Sequence, residues 1–158
     1  MTGHVEPEDV LACMPDWDCR VSSISVLVGG LANRSYVVQA GDRRCVIKLL
    51  TEEMDDFGLM IKIPDLIHNT VAAAQSGVAA GVLAAFPDLS AVVLEFIDGR
   101  TLEVADLSAP DYIPRLGRAI RALHEGSAAF ANHISIFTFL DCYLDLVARH
   151  GLRTSRGL

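Results

Sequence analysis

The 158-residue sequence predicts an α+β fold, in which a small antiparallel sheet with one helix precedes a helical part. Two patterns support this prediction. Short runs of β-branched residues, separated by turns that contain glycine, occupy much of the first 97 residues. After residue 110 the apolar residues recur at the spacing of α-helices. We therefore predict two parts, residues 1–97 and residues 98–158.

The first predicted elements are a short helix and three antiparallel strands. Residues 6–14 can form the helix because Pro7 falls in its first turn, where a missing N–H is tolerated. The segment VSSISVLV, residues 21–28, alternates apolar and hydroxyl side chains with the period of a strand. The segments SYVVQA and RRCVIKLL predict a hairpin because the turn-forming pair Gly41-Asp42 separates them.

One helix and two further strands complete the predicted sheet part. Residues 52–64 show no clear periodicity and predict a loop. Residues 65–76 predict a helix that ends at Gly77. Residues 82–86 predict a short strand, and the β-branched run AVVLEFI, residues 91–97, predicts a stronger one.

The remaining chain predicts two helices. The first opens at Pro110 or Pro114, carries one apolar stripe and stops at Gly126. The second covers residues 135–150 and is apolar on nearly all sides, whereas a surface helix needs only one apolar face. We therefore expect residues 136–147 to mediate self-association or to bind a partner.

The composition excludes several classes of protein. Apolar residues make up 51% of the chain, enough for a buried core, so disordered and fibrous classes are excluded. The formal net charge of -7 repels phosphate backbones and acidic lipids, so we expect neither nucleic acid nor a membrane as a partner. The longest weakly polar run, residues 71–86, is too short to span a bilayer.

No feature of the sequence directs the protein out of the cell, so we expect a cytoplasmic location. The first 20 residues hold acidic side chains where a signal peptide needs apolar ones. The cysteines form no C-x-x-C pair and are expected to be reduced thiols in or near the core. The histidines lack metal-binding spacing, so no metal site is predicted. The cysteines are Cys13, Cys19, Cys45 and Cys142.

The turn between the first two strands contains adjacent glycines, Gly29 and Gly30, followed by Asn33. Glycines let backbone N–H groups approach a phosphate closely, and Asn33 can brace the turn. A glycine pair in a hairpin is, however, more often only a turn. The loop by itself therefore leaves both a phosphate site and a simple turn open.

Lys48 stands in the middle of the apolar strand CVIKLL. An unpaired ammonium group buried under a sheet is costly, so this side chain must reach water or bind an anion. A phosphate group near the glycine turn, 18 residues earlier in the chain, is one candidate for that anion. The alternative is a lysine on an edge strand that faces solvent.

The run VVLEFIDGRTL joins the end of a strand to the helical part. Backbone N–H and C=O groups at Glu95, Phe96 and Ile97 could bind the edge of an adenine ring there. The alternative is a strand that simply ends in a turn at Asp98-Gly99.

Together these segments resemble the choline/ethanolamine kinase and aminoglycoside phosphotransferase family. The similarity covers about residues 21–147: GGLANRSYVV resembles the family's phosphate loop, VIKLL its lysine strand, EFIDGRTL its hinge and LGRAIRALHEG its first large-lobe helix. The resemblance implies a protein-kinase-like small lobe over residues 1–97, followed by the hinge and the first helices of the large lobe. It also implies transfer of the γ-phosphate of ATP, with magnesium, to a hydroxyl of a small molecule.

The resemblance further implies a set of nucleotide contacts, in which Lys48 binds the α- and β-phosphates. No catalytic residue and no magnesium ligand is assigned within this chain. The implied contact residues are Gly29, Gly30, Asn33, Lys48, Glu95, Phe96 and Ile97.

Two departures from the family pattern concern activity. The helix after the lysine strand lacks the glutamate that pairs with the lysine, and His68 or Asn69 stands near that position. No histidine is followed two residues later by aspartate, so the His-x-Asp catalytic loop is absent from the sequence. The triplet Asp56-Phe57-Gly58 spells a magnesium-binding motif but precedes the helix, outside the context that the motif needs.

We therefore expect a truncated, nucleotide-binding part of a phosphotransferase that is inactive by itself. One alternative is a non-catalytic nucleotide-binding or regulatory module that a partner chain completes. Another is a small structural α+β protein in which Lys48 faces solvent.

Overall fold

The computed structural model describes residues 4–18, 20–29, 33–51, 62–126, 129–131 and 135–151. The strands are β1 (Val21–Val26), β2 (Arg34–Ala40), β3 (Arg43–Leu49), β4 (Val82–Phe86) and β5 (Ala91–Glu95). The helices are α1 (Pro7–Ala12), α2 (Pro15–Asp18), α3 (Ile63–Gln75), α4 (Tyr112–His124) and α5 (Ile136–Arg149). The strands form one antiparallel sheet in the order β1-β2-β3-β5-β4. This architecture confirms the predicted α+β fold.

The hairpin of β2 and β3 fixes the register at the centre of the sheet. Gly41 makes the turn with a φ of +59°, a conformation that suits glycine. The register places Ser35 of β2 opposite Lys48 of β3. On its other side β3 pairs with β5, where Val92 lies opposite Lys48. β3 is therefore the central strand of the five.

One face of the sheet is covered by the two amino-terminal helices. Val10 and Leu11 of α1 and Trp17 of α2 are buried there against the strands. Burial of such side chains is the main favourable term in the folding of a small domain. The strand residues in this cluster are Val38, Ala40, Cys45, Ile47, Leu49, Ala91 and Val93.

The opposite face of the sheet packs on α3. Ile63 and Ile67 of α3 contact Val92 of β5 in a second buried cluster. Because side chains alternate between the two faces of a strand, Lys48 points away from the side that buries Ile47 and Leu49. The lysine therefore lies on the α3 side of the sheet.

The helix predicted at residues 6–14 is present as α1, which is shorter than predicted, and the following helix, α2, has no counterpart in the sequence analysis. α1 ends at Ala12, and α2 begins at Pro15. A proline has no N–H with which to bond the preceding turn, so a continuous helix cannot run through this position. The two residues between the helices differ, since Met14 is buried and Cys13 is exposed.

β1 departs from the predicted alternation. It ends at Val26 rather than at residue 28. The register shifts between Val21 and Ser23, so Ser22 forms a β-bulge. The extra residue brings Val21 and Ile24, three positions apart, to the half-buried side of the strand. A bulge of this kind cannot be read from a period of two.

α3 begins at Ile63, two residues earlier than predicted. Pro64 lies in its first turn, where its missing N–H costs nothing, so the residue assigned to a loop instead starts the helix. The predicted end is confirmed, because Gly77 follows the helix with a φ of +75°. Residues 52–61, most of the predicted loop, lie outside the described residues.

The segment after β5 is more structured than predicted. β5 ends at Glu95 rather than at residue 97. Two short 3₁₀ helices, Pro87–Leu89 and Val104–Ser108, have no counterpart in the sequence analysis. α4 begins at Tyr112, between the two prolines proposed as its start. β4 covers the predicted residues.

The prediction of core thiols is correct for Cys45, which is buried. Burial raises the pKa of this thiol to about 11, although the positive charge of Arg43 opposes the shift. The thiol therefore stays protonated at neutral pH and is a poor nucleophile. Cys142 is half-buried, whereas the exposed Cys13 corrects the prediction. Cys19 lies outside the described residues.

α4 and α5 expose apolar side chains. On α5, Ile136 is 71% and Phe137 is 77% exposed. With Leu140 and Tyr143 they line an apolar groove of about 480 Å³, which we call the α5 face. α4 adds the exposed residues Ile113, Leu116 and Ile120. No helix in the described part of the chain is long and apolar enough to cross a bilayer.

We expect the chain to self-associate through the α5 face. At roughly 25 cal/mol per Å², leaving a few hundred Å² of apolar surface in water forgoes several kcal/mol. Light scattering at tens of micromolar should therefore give a mass above that of one chain. Replacing Phe137 and Leu140 together by serine should return the mass to that of a monomer.

The matched control for this prediction is Asp145→Asn, which changes an exposed polar residue of the same helix and should leave the mass unchanged. A monodisperse monomer that binds no apolar dye would contradict the prediction.

Candidate functional site

A cleft of about 480 Å³ opens on the α3 side of the sheet. Ser35, Val46, Lys48 and Leu94 line it from the strands. Glu95, the last residue of β5, and most residues of the connector from Phe96 to Thr101 line it on another side. The cleft thus brings together Lys48 and the three predicted contact residues Glu95, Phe96 and Ile97.

Lys48 lies on the floor of this cleft. It is half-buried between its strand neighbours Ser35 and Val92. Because β3 is flanked on both sides, the edge-strand placement considered for this lysine is wrong. Among the residues that the structure describes, no carboxylate lies within ion-pair distance of the ammonium group. Within the described part of the chain, its charge is thus not compensated by an ion pair.

Arg100 is a second cation in the cleft lining, but a carboxylate already binds it. Its Nη1 and Nη2 atoms each lie 2.6 Å from one carboxylate oxygen of Asp106, in a bidentate pair. These bonds, together with one from the backbone N–H of Glu103, lower the pKa of Asp106 to about 2. The same pair raises the pKa of Arg100. The charge of Arg100 is therefore compensated within the protein.

Gly29 and Asn33 are the described residues nearest the middle of the turn between β1 and β2. Gly29 has a φ of +138°, which a residue with a side chain rarely adopts. Asn33 braces the end of the turn, since its Oδ1 atom accepts a hydrogen bond from the N–H of Thr51 at 3.3 Å. Neither Gly29 nor Asn33 lines the cleft itself, although Leu27 and Ser35 beside them do. Gly30 lies outside the described residues.

The three contact residues Glu95, Phe96 and Ile97 have different surroundings. The backbone N–H of Glu95 donates to the carbonyl of Gly81 at 2.8 Å. A Cβ atom at Gly81 would come within 2.6 Å of the Glu95 carboxylate, so a side chain there would displace it. Phe96 is half-buried, and Ile97 is 66% exposed.

Arg44 does not line the cleft but contacts one of its lining residues, Phe96, and the sequence analysis did not single it out. Its guanidinium carbon lies 4.1 Å from the centre of the Phe96 ring. Its Nη2 atom also donates to the carboxylate of Asp98 at 3.2 Å. The alternation of side chains along a strand could have indicated this residue. Arg44 and Lys48 are four residues apart and therefore lie on the same side of β3.

The polar residues of α3 bind another segment. Nε2 of His68 donates to the carbonyl of Ala129 at 2.9 Å, and Oδ1 of Asn69 accepts from the N–H of Ala131 at 2.8 Å. The contacts join α3 to the segment after α4. His68 and Asn69, which stand near the position of the missing glutamate, thus bind this segment in the structure.

A metal ion needs a set of ligands. The described residues contain no group of three or more His, Cys, Asp or Glu residues that could bind a metal ion. The triplet Asp56-Phe57-Gly58 lies outside the described residues, and so does His133.

Solved structures share this architecture. A choline/ethanolamine kinase family protein from Mesorhizobium loti matches with a TM-score of 0.65 and 24% identity, over 86% of this chain and 42% of that protein. Choline kinase LicA from Streptococcus pneumoniae matches with a TM-score of 0.70 and 15% identity, over 89% and 48% of the two chains. The chain has a kinase-like fold.

A third similar structure, an ethanolamine kinase from Plasmodium vivax, has a TM-score of 0.58 and 17% identity over 92% of this chain and 36% of that protein. The chain thus spans less than half the length of each of these three structures. No protein-family model and no curated protein sequence matches it. The comparison confirms the fold that the resemblance implied.

Arg100→Gln should raise the pKa of Asp106 from about 2 towards its ordinary value of 3.8. The N–H of Glu103 still donates to the carboxylate, so the pKa should stay somewhat below 3.8. Since the folded state has the lower pKa, the pair stabilises the fold above pH about 4 and loses this effect as the pH falls through about 2.

An NMR titration of the side-chain carboxyl carbon measures this pKa directly. Arg118→Gln removes an exposed arginine of α4 and should leave the titration of Asp106 unchanged. The same Asp106 pKa in Arg100→Gln and in the unmodified chain would contradict the assigned cause.

Proposed function

We propose that this chain is the nucleotide-binding part of an ATP-dependent phosphotransferase of the choline/ethanolamine-kinase type. The proposal rests on the position of Lys48 in the lining of a cleft. Among the described residues, its ammonium group has no carboxylate partner. The kinase-like fold supports the proposal, as do the names of the matched structures.

The two ends of the cleft suit the two ends of a nucleotide. A phosphate chain needs positive charge and backbone donors, which Lys48 and the turn at Gly29 would offer. A planar base needs an apolar slot with a few polar groups, which Phe96 and the connector would offer. The volume of about 480 Å³ is ordinary for a small-molecule site.

In the proposed reaction, the chain's own residues bind and orient the donor. A bond forms between the acceptor hydroxyl oxygen and the γ-phosphorus as the bond from that phosphorus to the leaving ADP oxygen breaks, and the hydroxyl proton passes to water. Lys48 would compensate negative charge on the α- and β-phosphates. Magnesium acts on the phosphates in such reactions, but the described residues offer it no ligand set, and we assign them no metal step.

The proposed acceptor is a small molecule that carries a hydroxyl group, such as an amino alcohol. This part of the proposal rests on the names of the similar structures, which are choline and ethanolamine kinases. We propose the cytoplasm as the compartment, because free thiols such as Cys45 fit a reducing environment.

A second candidate function is a non-catalytic nucleotide-binding or regulatory module that a partner chain completes. One observation favours it: the sequence has no histidine followed two residues later by aspartate. Both candidates require nucleotide binding at Lys48, and they differ only in turnover.

Lys48→Met should lower the affinity for Mg-ATP or ADP about tenfold or more, since a charge-assisted phosphate contact contributes roughly 1.5 to 3 kcal/mol. Isothermal titration calorimetry measures the change. Lys62→Met is a close control, because Lys62 is exposed and is the only other lysine of the chain. Equal affinity in the unmodified chain and in Lys48→Met would falsify the assigned contact.

A labelling experiment tests the same contact without a substitution. With only two lysines, acetylation followed by mass spectrometry reports on Lys48 and Lys62 separately. Saturating ADP should protect Lys48 and leave the labelling of Lys62 unchanged. Equal labelling of Lys48 with and without ADP would count against the proposed site.

The purified chain should show no phosphotransferase turnover with choline, ethanolamine, thiamine or an aminoglycoside. Positioning and charge compensation supply nearly all catalysis in phosphoryl transfer, and the His-x-Asp loop that would contribute them is absent from the sequence. Product assays by mass spectrometry, on chain shown to bind ADP, test this. ATP-dependent product that disappears in Lys48→Met would overturn the prediction.

A further inference from the structure

Arg44 makes two contacts that converge on one short stretch of the connector. Its guanidinium lies over the Phe96 ring at 4.1 Å, and it forms an ion pair with Asp98 at 3.2 Å. Phe96 and Asp98 lie on either side of Ile97, which is largely exposed. One side chain of the sheet therefore holds both neighbours of an exposed residue at the cleft wall.

The position of Arg44 follows from the register of the sheet. The last pair between β3 and β5 is Cys45 with Glu95. One residue beyond it, Arg44 faces Phe96 across the end of the ladder. Arg44 and Lys48 lie on one side of β3, separated by four residues or about 13 Å. This distance is comparable to the length of an extended nucleotide diphosphate.

We propose that Arg44 is a positioning residue for the base end of the nucleotide site. It fixes the Phe96 ring and the connector so that a planar heteroaromatic base meets a formed slot. This inference rests on the proposed nucleotide binding and adds to it a residue that acts only through Phe96 and Asp98. Lys48 and Arg44 then have separate tasks, one for the phosphates and one for the base.

Without the contacts of Arg44, the connector would be less ordered before a ligand binds. A loop residue loses conformational freedom when a ligand orders it. This entropy loss makes binding less favourable by the same amount. Arg44 orders Phe96 before the ligand arrives. Because Asp98 and Arg44 are solvent-exposed, the ion pair by itself contributes little, and the contact with the ring carries most of the effect.

The test compares two probes, ADP and inorganic tripolyphosphate, by calorimetry. Arg44→Gln should weaken ADP binding about two- to fivefold, as expected for an exposed contact between a cation and an aromatic ring. It should leave tripolyphosphate binding unchanged, because that probe has no base. Lys48→Met should weaken both probes.

Arg43→Gln is the matched control. Arg43 precedes Arg44 in β3 and also lies over an aromatic ring, that of Trp17, at 4.1 Å on the other side of the sheet. Its substitution removes the same charge and the same kind of contact, yet it should leave ADP binding unchanged. A loss of ADP affinity in Arg43→Gln equal to that in Arg44→Gln would mean that strand stability, not base positioning, is responsible, and would overturn the inference.

A double-mutant cycle tests whether Arg44 acts through the ring. Phe96→Leu keeps an apolar side chain but removes the aromatic partner. In that background Arg44→Gln should cause no further loss of ADP affinity. Additive losses would overturn the inference.

The two proposals fail in different ways. If the unmodified chain binds neither ADP nor tripolyphosphate, the proposed function itself is wrong. If it binds both and Arg44→Gln changes neither or changes both equally, nucleotide binding stands and the role of Arg44 is wrong.

Discussion

The alternation of side chains along β3 is the constraint on which the site depends. Ile47 and Leu49 are buried beneath α1 and α2, so the residue between them must lie on the opposite side. A slip of one residue would move Lys48 into that apolar core, where an unpaired ammonium group costs several kcal/mol. The buried cluster therefore selects the register that presents the lysine to the cleft, and the same register brings Arg44 to Phe96.

The charge of the cleft is local and differs from that of the whole chain. The net charge of -7 disfavours long polyanions. Screening limits that effect to about 8 to 10 Å at ordinary salt, so a single cation inside a cleft still dominates its surroundings. Arg100 is paired with Asp106, and Arg44 with Asp98. Among the described residues, these ion pairs compensate the charges of Arg100 and Arg44, whereas Lys48 has no such partner.

Much of the fold could be predicted from the sequence because its strands are rich in β-branched residues and its turns contain glycine. What could not be predicted depends on contacts between distant segments. The bulge at Ser22 follows from the pairing of β1 with β2, and the start of α3 at Ile63 depends on a proline that suits either a loop or a first turn. Lys48 was found because a lysine is unusual in an apolar strand. Arg44 was missed because arginine at a strand end is common, and its partner lies more than fifty residues away.

The two hydrogen bonds between α3 and residues 129–131 have a consequence for how the end of the helical part is held. His68 binds the carbonyl of Ala129, and Asn69 binds the N–H of Ala131, so a segment that follows α4 is fastened to a helix of the sheet part. At about 1 kcal/mol for each bond, the two bonds together favour the attached segment by roughly thirtyfold over a detached one. Because the bonds join residues about sixty positions apart, they close a loop of the chain that contains β4, β5 and α4.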